Sequence, residues 1–336
     1  MKINIIGAGP VGCYLAYLLA DKFEVEVYEE HSEIGKPVQC AGIITNSINS
    51  VIQIPPEVIL NKIKNFEISY KDQKLKIKLR NPDIIIDRTK FDTFFYNKAK
   101  ERGVKFSLGK RINDLAELKG IIIGADGPNS IVSKAIGNKT TSWMGIQTKI
   151  KLPDSQIKAS LDYGKFGWTI PEGNGTCRVG IMDEKENAKQ TFKKFTKGKQ
   201  NSLQAGLIPK YNPKNKLCKN NLYIVGDAAG MVKATTGGGI IPGLKAAKVL
   251  ANCLIKRKKY KRKLRKVRKE LKTQLIARKV LDHLNDEEIK KLFKLFRKEK
   301  NKKILEEIDR DNLKKIAIKL LLRNPTLITY APKIYK

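Results

Sequence analysis

Gly7, Gly9 and Gly12 form a Gly-x-Gly-x-x-Gly turn, and Glu29 lies seventeen positions beyond the last of them. Residues of these types bind a dinucleotide. The first glycine allows a tight turn, the second lets backbone approach a pyrophosphate, and the third lets a helix pack closely on a strand. The helix start, which includes Val11, presents free N–H groups and the positive end of a dipole to the phosphates. A carboxylate at Glu29 can accept both hydroxyls of a ribose. The chemistry requires a strand before the turn, a helix after it and a strand ending at the acid. Lys2–Ile6 is an apolar run, a helical stretch reaches Asp21, and Val25–Tyr28 closes on Glu29 and Glu30, so the context is a βαβ unit.

A second constellation lies some two hundred residues away. Gly226-Asp227-Ala228-Ala229-Gly230 follows an apolar strand at Leu222–Val225, and Thr235-Thr236-Gly237-Gly238-Gly239-Ile240 comes next. A simple nicotinamide enzyme has no use for this pair of motifs, whereas an extended FAD does. Asp227 would hold the ribityl or pyrophosphate end. Gly238, Gly239 and Ile240 would bring N–H groups and a helix N-terminus to the N1–C2=O edge of the flavin, which carries negative charge when reduced. Arg88 is either a contact to flavin or pyrophosphate or a surface residue at a helix start. Asp126, in Gly124-Ala125-Asp126-Gly127, is either a cofactor contact or a turn residue.

Other elements frame these motifs. Ser32–Thr45 reads as a loop, and Phe66–Leu79 as a hairpin turning at Lys71-Asp72. A helix runs from Asp87 to Arg102, with strands at Val104–Leu108 and Ile121–Ile123. From Trp143 to Met182 the chain is β-rich. A helix runs from near Gly239 to Ile255, and the remainder is helical, amphipathic and rich in Lys and Arg. The expected architecture is α/β, with a glutathione-reductase-type Rossmann FAD-binding domain (1–140 and 219–256), an antiparallel β-sheet substrate domain (141–218, joined by a 60–86 hairpin) and a basic helical C-terminal region (257–336).

Composition narrows the classes. The 336 residues have 41% hydrophobic content and a net charge of +35. After Leu250 there are 29 basic against 10 acidic side chains. Such a balance suits an anionic partner or reflects compositional bias. Five cysteines without a Cys-x-x-Cys pair argue against a disulfide framework or zinc site and fit a reducing cytoplasm. With only His31 and His283, a histidine-centred triad or metal cage is disfavoured, and no metal is expected. No signal peptide is visible. Gly237–Ile255, the most apolar stretch, carries Lys245 and Lys248, which make membrane insertion costly.

Taken together, the motifs resemble the geranylgeranyl reductase family within the para-hydroxybenzoate hydroxylase superfamily, over roughly Met1–Leu254. Pro37-Val38-Gln39-Cys40-Ala41-Gly42 looks like the family's cysteine loop. Phe166-Gly167-Trp168-Thr169-Ile170-Pro171 followed by Gly180 looks like its YxWxFP…G motif, and Gly226–Ile240 like its GDAAG…TGGGI segment. This chain departs in having Phe166 and Ile170 at aromatic positions, Gly42 where an acid is common, and Lys233-Ala234 in place of Asn-Pro. The resemblance implies FAD-dependent saturation of C=C bonds in the prenyl chains of lipids. Cys40, Ala41 and Gly42 would lie beside the isoalloxazine, with Cys40 shaping the pocket or relaying a proton. Phe166, Trp168, Ile170 and Pro171 would line the prenyl channel. The implied partners are a prenylated lipid, an electron donor of the NAD(P)H or ferredoxin kind, and an anionic membrane surface at the inner face of the cytoplasmic membrane. The rival readings are a flavin monooxygenase or halogenase, a flavoprotein acting on RNA, and a non-catalytic prenyl-lipid binder. Nucleic acid is disfavoured, because the Lys256–Lys269 run offers Tyr260 as its single stacking aromatic.

Overall fold

Ile3, Ile5 and Ile6 are buried on both faces of their strand, which is the signature of a central parallel strand covered by helices. The computed structural model describes residues 1–199 and 201–335. The chain opens with β1 (Lys2–Ile6), α1 (Pro10–Leu19), β2 (Glu24–Glu29) and the short β3 (Ile43–Ile44). A long hairpin follows, β4 (Ile59–Tyr70) and β5 (Gln73–Ile86), then α2 (Arg88–Lys100), β6 (Lys105–Leu108), β7 (Ile121–Gly124) and α3 (Ile131–Ala135). Next come β8 (Ser142–Lys151), β9 (Ile157–Ser160), β10 (Phe166–Gly173), β11 (Thr176–Asp183), α4 (Lys185–Thr196) and β12 (Leu203–Pro209). The chain then passes through β13 (Cys218–Lys219) and β14 (Leu222–Ile224) into α5 (Ile240–Ile255). It ends in α6 (Tyr260–Lys263), α7 (Arg265–Asp282), α8 (Asp286–Arg297), α9 (Glu299–Glu307), α10 (Leu313–Arg323) and a 3-10 segment, Pro325–Ile334.

Two sheets result. The first has the order β13-β14-β7-β1-β2-β6 and is parallel apart from β13. Its largest apolar core packs α1, α2 and α5 against the strands. The second has the order β12-β8-β11-β10-β9-β4-β5-β3 and is antiparallel except for the β4–β9 pair. The α/β class with an added β-sheet and a helical C-terminal region is therefore as expected.

Local differences have physical causes. The hairpin turns at Lys71-Asp72 as its sequence predicts, with Lys71 in the left-handed region, but its arms extend to Ile59 and Ile86. The outer extension carries the buried run Ile84-Ile85-Ile86, which loses the alternation that marks a half-exposed strand. Asp87 caps α2 by accepting from the Lys90 N–H at 3.1 Å, and the helix stops at Lys100, short of the expected Arg102. Helix α4 falls within the 141–218 segment expected to be a β-sheet domain, beyond the Trp143–Met182 stretch read as strands. Its apolar stripe is just Ala188, Phe192 and Phe195, set among lysines, yet it covers Ile181 of β11. No described helix is long and apolar enough to cross a membrane.

Candidate functional site

The glycine turn after β1 is built by close approach. Gly7 has φ +101°, and a Cβ there would meet the Ala125 carbonyl oxygen at 2.4 Å. A Cβ on Gly12 would fall 2.0 Å from the Gly7 oxygen. On Gly9 the same atom would meet nothing within 4 Å. Gly9 is the N-cap of α1 and supplies no side-chain cap, so this helix start is closed behind and open in front. Glu29 accepts from the Ala8 N–H at 2.8 Å, which puts its carboxylate at the same turn.

The distant Gly-Asp segment arrives at this turn. A Cβ on Gly226 or Gly243 would touch Val11 at 3.1 and 2.7 Å, and α1 packs along α5. Gly239 is the N-cap of α5, again without a side-chain cap. The Asp227 Oδ1 atom lies 2.6 Å from where a Gly239 Cβ would be. Burial pushes the Asp227 carboxyl up to about 6, with the Arg88 charge pulling the other way. A buried carboxylate of this kind lacks donors for its charged form. Two uncapped helix starts, Glu29 and Asp227 are thus brought to one side of the fold. Amide N–H groups suit phosphates, and an acceptor short of donors suits the hydroxyls of a sugar or ribityl chain, so the residues present fit an FAD.

Arg88 and Asp126 are engaged within the protein. The Arg88 Nε and Nη2 donate to Asp92 at 3.1 and 2.9 Å, and the Cys40 thiol stands beside the guanidinium. Burial works against the Arg88 charge, but Asp92 overrides it and holds Arg88 above its ordinary range. Asp126 Oδ2 accepts from the Ile131 N–H at 2.8 Å at the start of α3, while its Oδ1 is buried without a partner.

Cys40 belongs to a loop tied down by residues that the sequence did not single out. The Cys40 carbonyl accepts from Arg178 Nη1 at 2.6 Å and from Gln147 Nε2 at 3.0 Å. Arg178 is itself paired with Glu172, which Lys149 also reaches at 2.9 Å. Gly42 has φ +69° and sits where a Cβ would meet the Ile86 carbonyl oxygen at 2.7 Å, so the acid common at this place in the resembled family has no room here. In register, Ile170 faces Arg178, Trp168 faces Gly180 and Phe166 faces Met182. Alternation puts Phe166, Trp168, Ile170, Arg178 and Gln147 on one face of the second sheet. Its apolar half gathers Trp168, Ile170, Met182, Trp143 and Ala234, with Phe166 and Ala41 packed alongside. Gly180 makes room for the indole, since a Cβ there would lie 2.4 Å from Trp168 Cζ2. Trp168 Nε1 and Gln147 Oε1, a donor and an acceptor, are buried without partners. Pro171 points to the other side of the strand.

The glycine run is held from the C-terminal region. Asp311 accepts from Lys233 Nζ at 2.5 Å and from Thr45 Oγ1 and Ser47 Oγ at 2.8 Å each. Although burial opposes it, this set of partners holds the Asp311 carboxyl well below the usual carboxylate range. Thr235 Oγ1 bonds Gln274 of α7. Lys233 was visible in the sequence only as a departure from Asn-Pro. Nothing in the spacing of Asp311 announced it.

Comparison with known proteins decides the family. Residues 5–42 match the description "NAD(P)-binding Rossmann-like domain" and residues 186–314 match "Squalene epoxidase". Uncharacterized protein MJ1520 of Methanocaldococcus jannaschii is 30% identical over 298 residues, covering 76% of this chain and 75% of that protein. The digeranylgeranylglycerophospholipid reductase of Methanococcus vannielii is 27% identical over 389 aligned positions, 98% of this chain and 96% of the relative. The chain belongs to the geranylgeranyl-reductase-like family of FAD-dependent oxidoreductases. Its fold matches that of a geranylgeranyl bacteriochlorophyll reductase-like protein from Thermoplasma acidophilum, with a TM-score of 0.81 at 19% identity over 99% of this chain and 98% of the other. For a geranylgeranyl-reductase-like chain, Arg178, Gln147 and Asp311 are the additions that structure makes to the residues legible in the sequence.

Proposed function

We propose that this protein is an FAD-dependent reductase that saturates C=C bonds in the prenyl chains of membrane lipids or their precursors. The observation that carries the reading is a juxtaposition. The Cys40 loop, tethered by Arg178 and Gln147, sets its thiol beside Arg88, whose charge also acts on Asp227, while Ala41 packs on the apolar cluster around Trp168. Residues 1–140 and 219–256 would hold the cofactor, 141–218 with the 60–86 hairpin would hold the substrate, and 257–336 would brace the glycine run.

The N-termini of α1 and α5 would receive the phosphates and the flavin N1–C2=O edge, with Val11, Gly238, Gly239 and Ile240 at these ends. Glu29 would take the ribose hydroxyls and Asp227 those of the ribityl chain. Bound and reduced, FAD supplies a hydride to an alkene carbon. Phe166, Trp168 and Ile170 would exclude water and orient a flexible chain, which an unactivated alkene requires because it has no carbonyl to polarise. Cys40, with Ala41 and Gly42 beside it, would deliver a proton to the other alkene carbon. The electron donor would be NAD(P)H or a ferredoxin-like carrier, and the protein would work at an anionic membrane surface on the cytoplasmic side.

The test is anaerobic. Purified protein is reduced with dithionite and offered polyprenyl lipids, and products are weighed by mass spectrometry. Gain of hydrogen pairs supports the reading. Inertness toward every lipid, together with an oxygen-dependent product from a small aromatic, would reverse it in favour of a monooxygenase or halogenase.

A further inference from the structure

Helix α10 is apolar on two sides. Ile316 and Leu320 are buried against Ile304 and Ile308 of the preceding helical segment, which satisfies one side. Ile318, Leu321 and Leu322 point the other way and are 45%, 39% and 79% exposed. Ile328 in the following 3-10 segment is 68% exposed. With Tyr335, these are five of the nine large hydrophobic side chains exposed among the described residues. An isolated exposed leucine has no meaning, but a cluster on consecutive elements does.

Along this stretch of chain the charges have one sign, with Lys333 paired to Glu288 of α8 at 2.8 Å. Lys314, Lys315, Lys319, Arg323 and Lys333 fall between Leu313 and Tyr335, and no Asp or Glu does. At helical spacing Ile318 and Leu322 form a stripe flanked by Lys314 on one side and Lys315 and Lys319 on the other. Lys269 of α7 stands against Lys314, and this like charge holds Lys269 below the ordinary lysine range. A symmetric self-association through this face would bring the lysines together, which opposes a dimer.

We infer that the outer face of α10 and the 3-10 segment docks on an anionic lipid surface, with Ile318, Leu321, Leu322 and Ile328 entering the acyl boundary and the lysines meeting headgroup phosphates. This deepens the reading of the substrate as a membrane lipid and rests on it. The architecture is that of an interfacial helix pair, amphipathic and positively charged at its flanks. Both elements pack on α7, and Lys279 and Lys333 pin the 3-10 segment by bonding the Ile334 and His283 carbonyls at 3.2 and 2.7 Å. Leu275 of the same α7 packs on the apolar cluster around Trp168. One helix therefore separates the docking face from the face where the prenyl chain would lie.

The experiment is co-sedimentation of the full chain with vesicles of phosphatidylcholine alone or mixed with phosphatidylglycerol. The expected result is binding to the mixed vesicles that weakens with salt. I318S/L322S should lower partitioning about tenfold or more, in keeping with lost apolar burial. K315E/K319E should lower it by about fivefold per lysine. Unchanged circular dichroism shows that the variants fold, and size-exclusion chromatography reports whether a dimer forms. Binding to both vesicle types that neither variant alters would overturn the inference, as would loss of a dimer on I318S/L322S without loss of vesicle binding. Protein that carries flavin yet stays in the supernatant sinks the docking face alone. Colourless protein that sediments with the mixed vesicles and releases on I318S/L322S supports the docking face while sinking the reductase reading.

Discussion

Replacing Asp311 with Asn removes the charge on which the glycine run is anchored. Asp311 joins the segment before α10 to Lys233, Thr45 and Ser47, so one carboxylate connects three parts of the chain. Its side chain and that of Lys233 are 7% and 15% exposed, so the pair is largely shielded from water. Breaking a buried ion pair by removing one partner costs about 3–5 kcal/mol, chiefly because the other charge stays buried. The Asn oxygen keeps an acceptor for Lys233, which reduces the expected loss to about 2–3 kcal/mol. The sign with pH follows from the depressed carboxyl. Its stabilising effect is complete above the unfolded value of about 3.9 and fades as pH falls toward the folded value. Urea unfolding of wild type and D311N should therefore differ by a constant amount from about pH 5 to pH 8, with the gap closing below about pH 4. FAD titration of the apoprotein should show weaker binding by D311N, since Lys233 flanks Gly238. A stability gap under about 0.5 kcal/mol, or one that persists unchanged at pH 3, would refute the reasoning.

Further predictions concern the site. G180A should destabilise by about 1–3 kcal/mol through overpacking against the Trp168 indole, visible in urea unfolding and as a shift in tryptophan emission. D227N should make the apoprotein more stable by about 1–2 kcal/mol at pH 7 and leave it unchanged below pH 4, because a raised carboxyl penalises folding only where the unfolded chain is ionised. The same substitution should weaken FAD binding, which equilibrium dialysis would measure. E29A should lower FAD affinity about tenfold or more by removing a charged acceptor, and should cost about 1–3 kcal/mol in urea unfolding by leaving the buried Ala8 N–H unpaired.

Most of the dinucleotide side was legible in the sequence because it is made by backbone. Gly7 and Gly12 are places where backbone leaves no room for a Cβ, Gly226 takes a φ of +65° that disfavours one, and such demands leave fixed residue types at fixed spacing. Trp168 and Gly180 were legible through the resembled family's motif, and the structure gives its physical reason, one large ring requiring one missing side chain across a strand pair. Arg178, Gln147 and Asp311 were hidden, because their partners are a loop carbonyl or side chains more than seventy residues distant, and no local pattern encodes that. Arg88 shows the opposite hazard. A basic residue at a helix start near a phosphate site invites a ligand role, and here Asp92, four residues on, takes its Nε and Nη2 donors. Helix α4 escaped notice because its few apolar residues are diluted by lysine.

The most direct test of the central claim is the colour of the reduced protein after it meets substrate without oxygen. The account predicts that purified chain carries FAD, bleaches with dithionite, and regains its visible absorbance on addition of a polyprenyl lipid that emerges heavier by hydrogen pairs. Protein that cannot be loaded with FAD, or that stays bleached with every prenyl lipid offered, would contradict it.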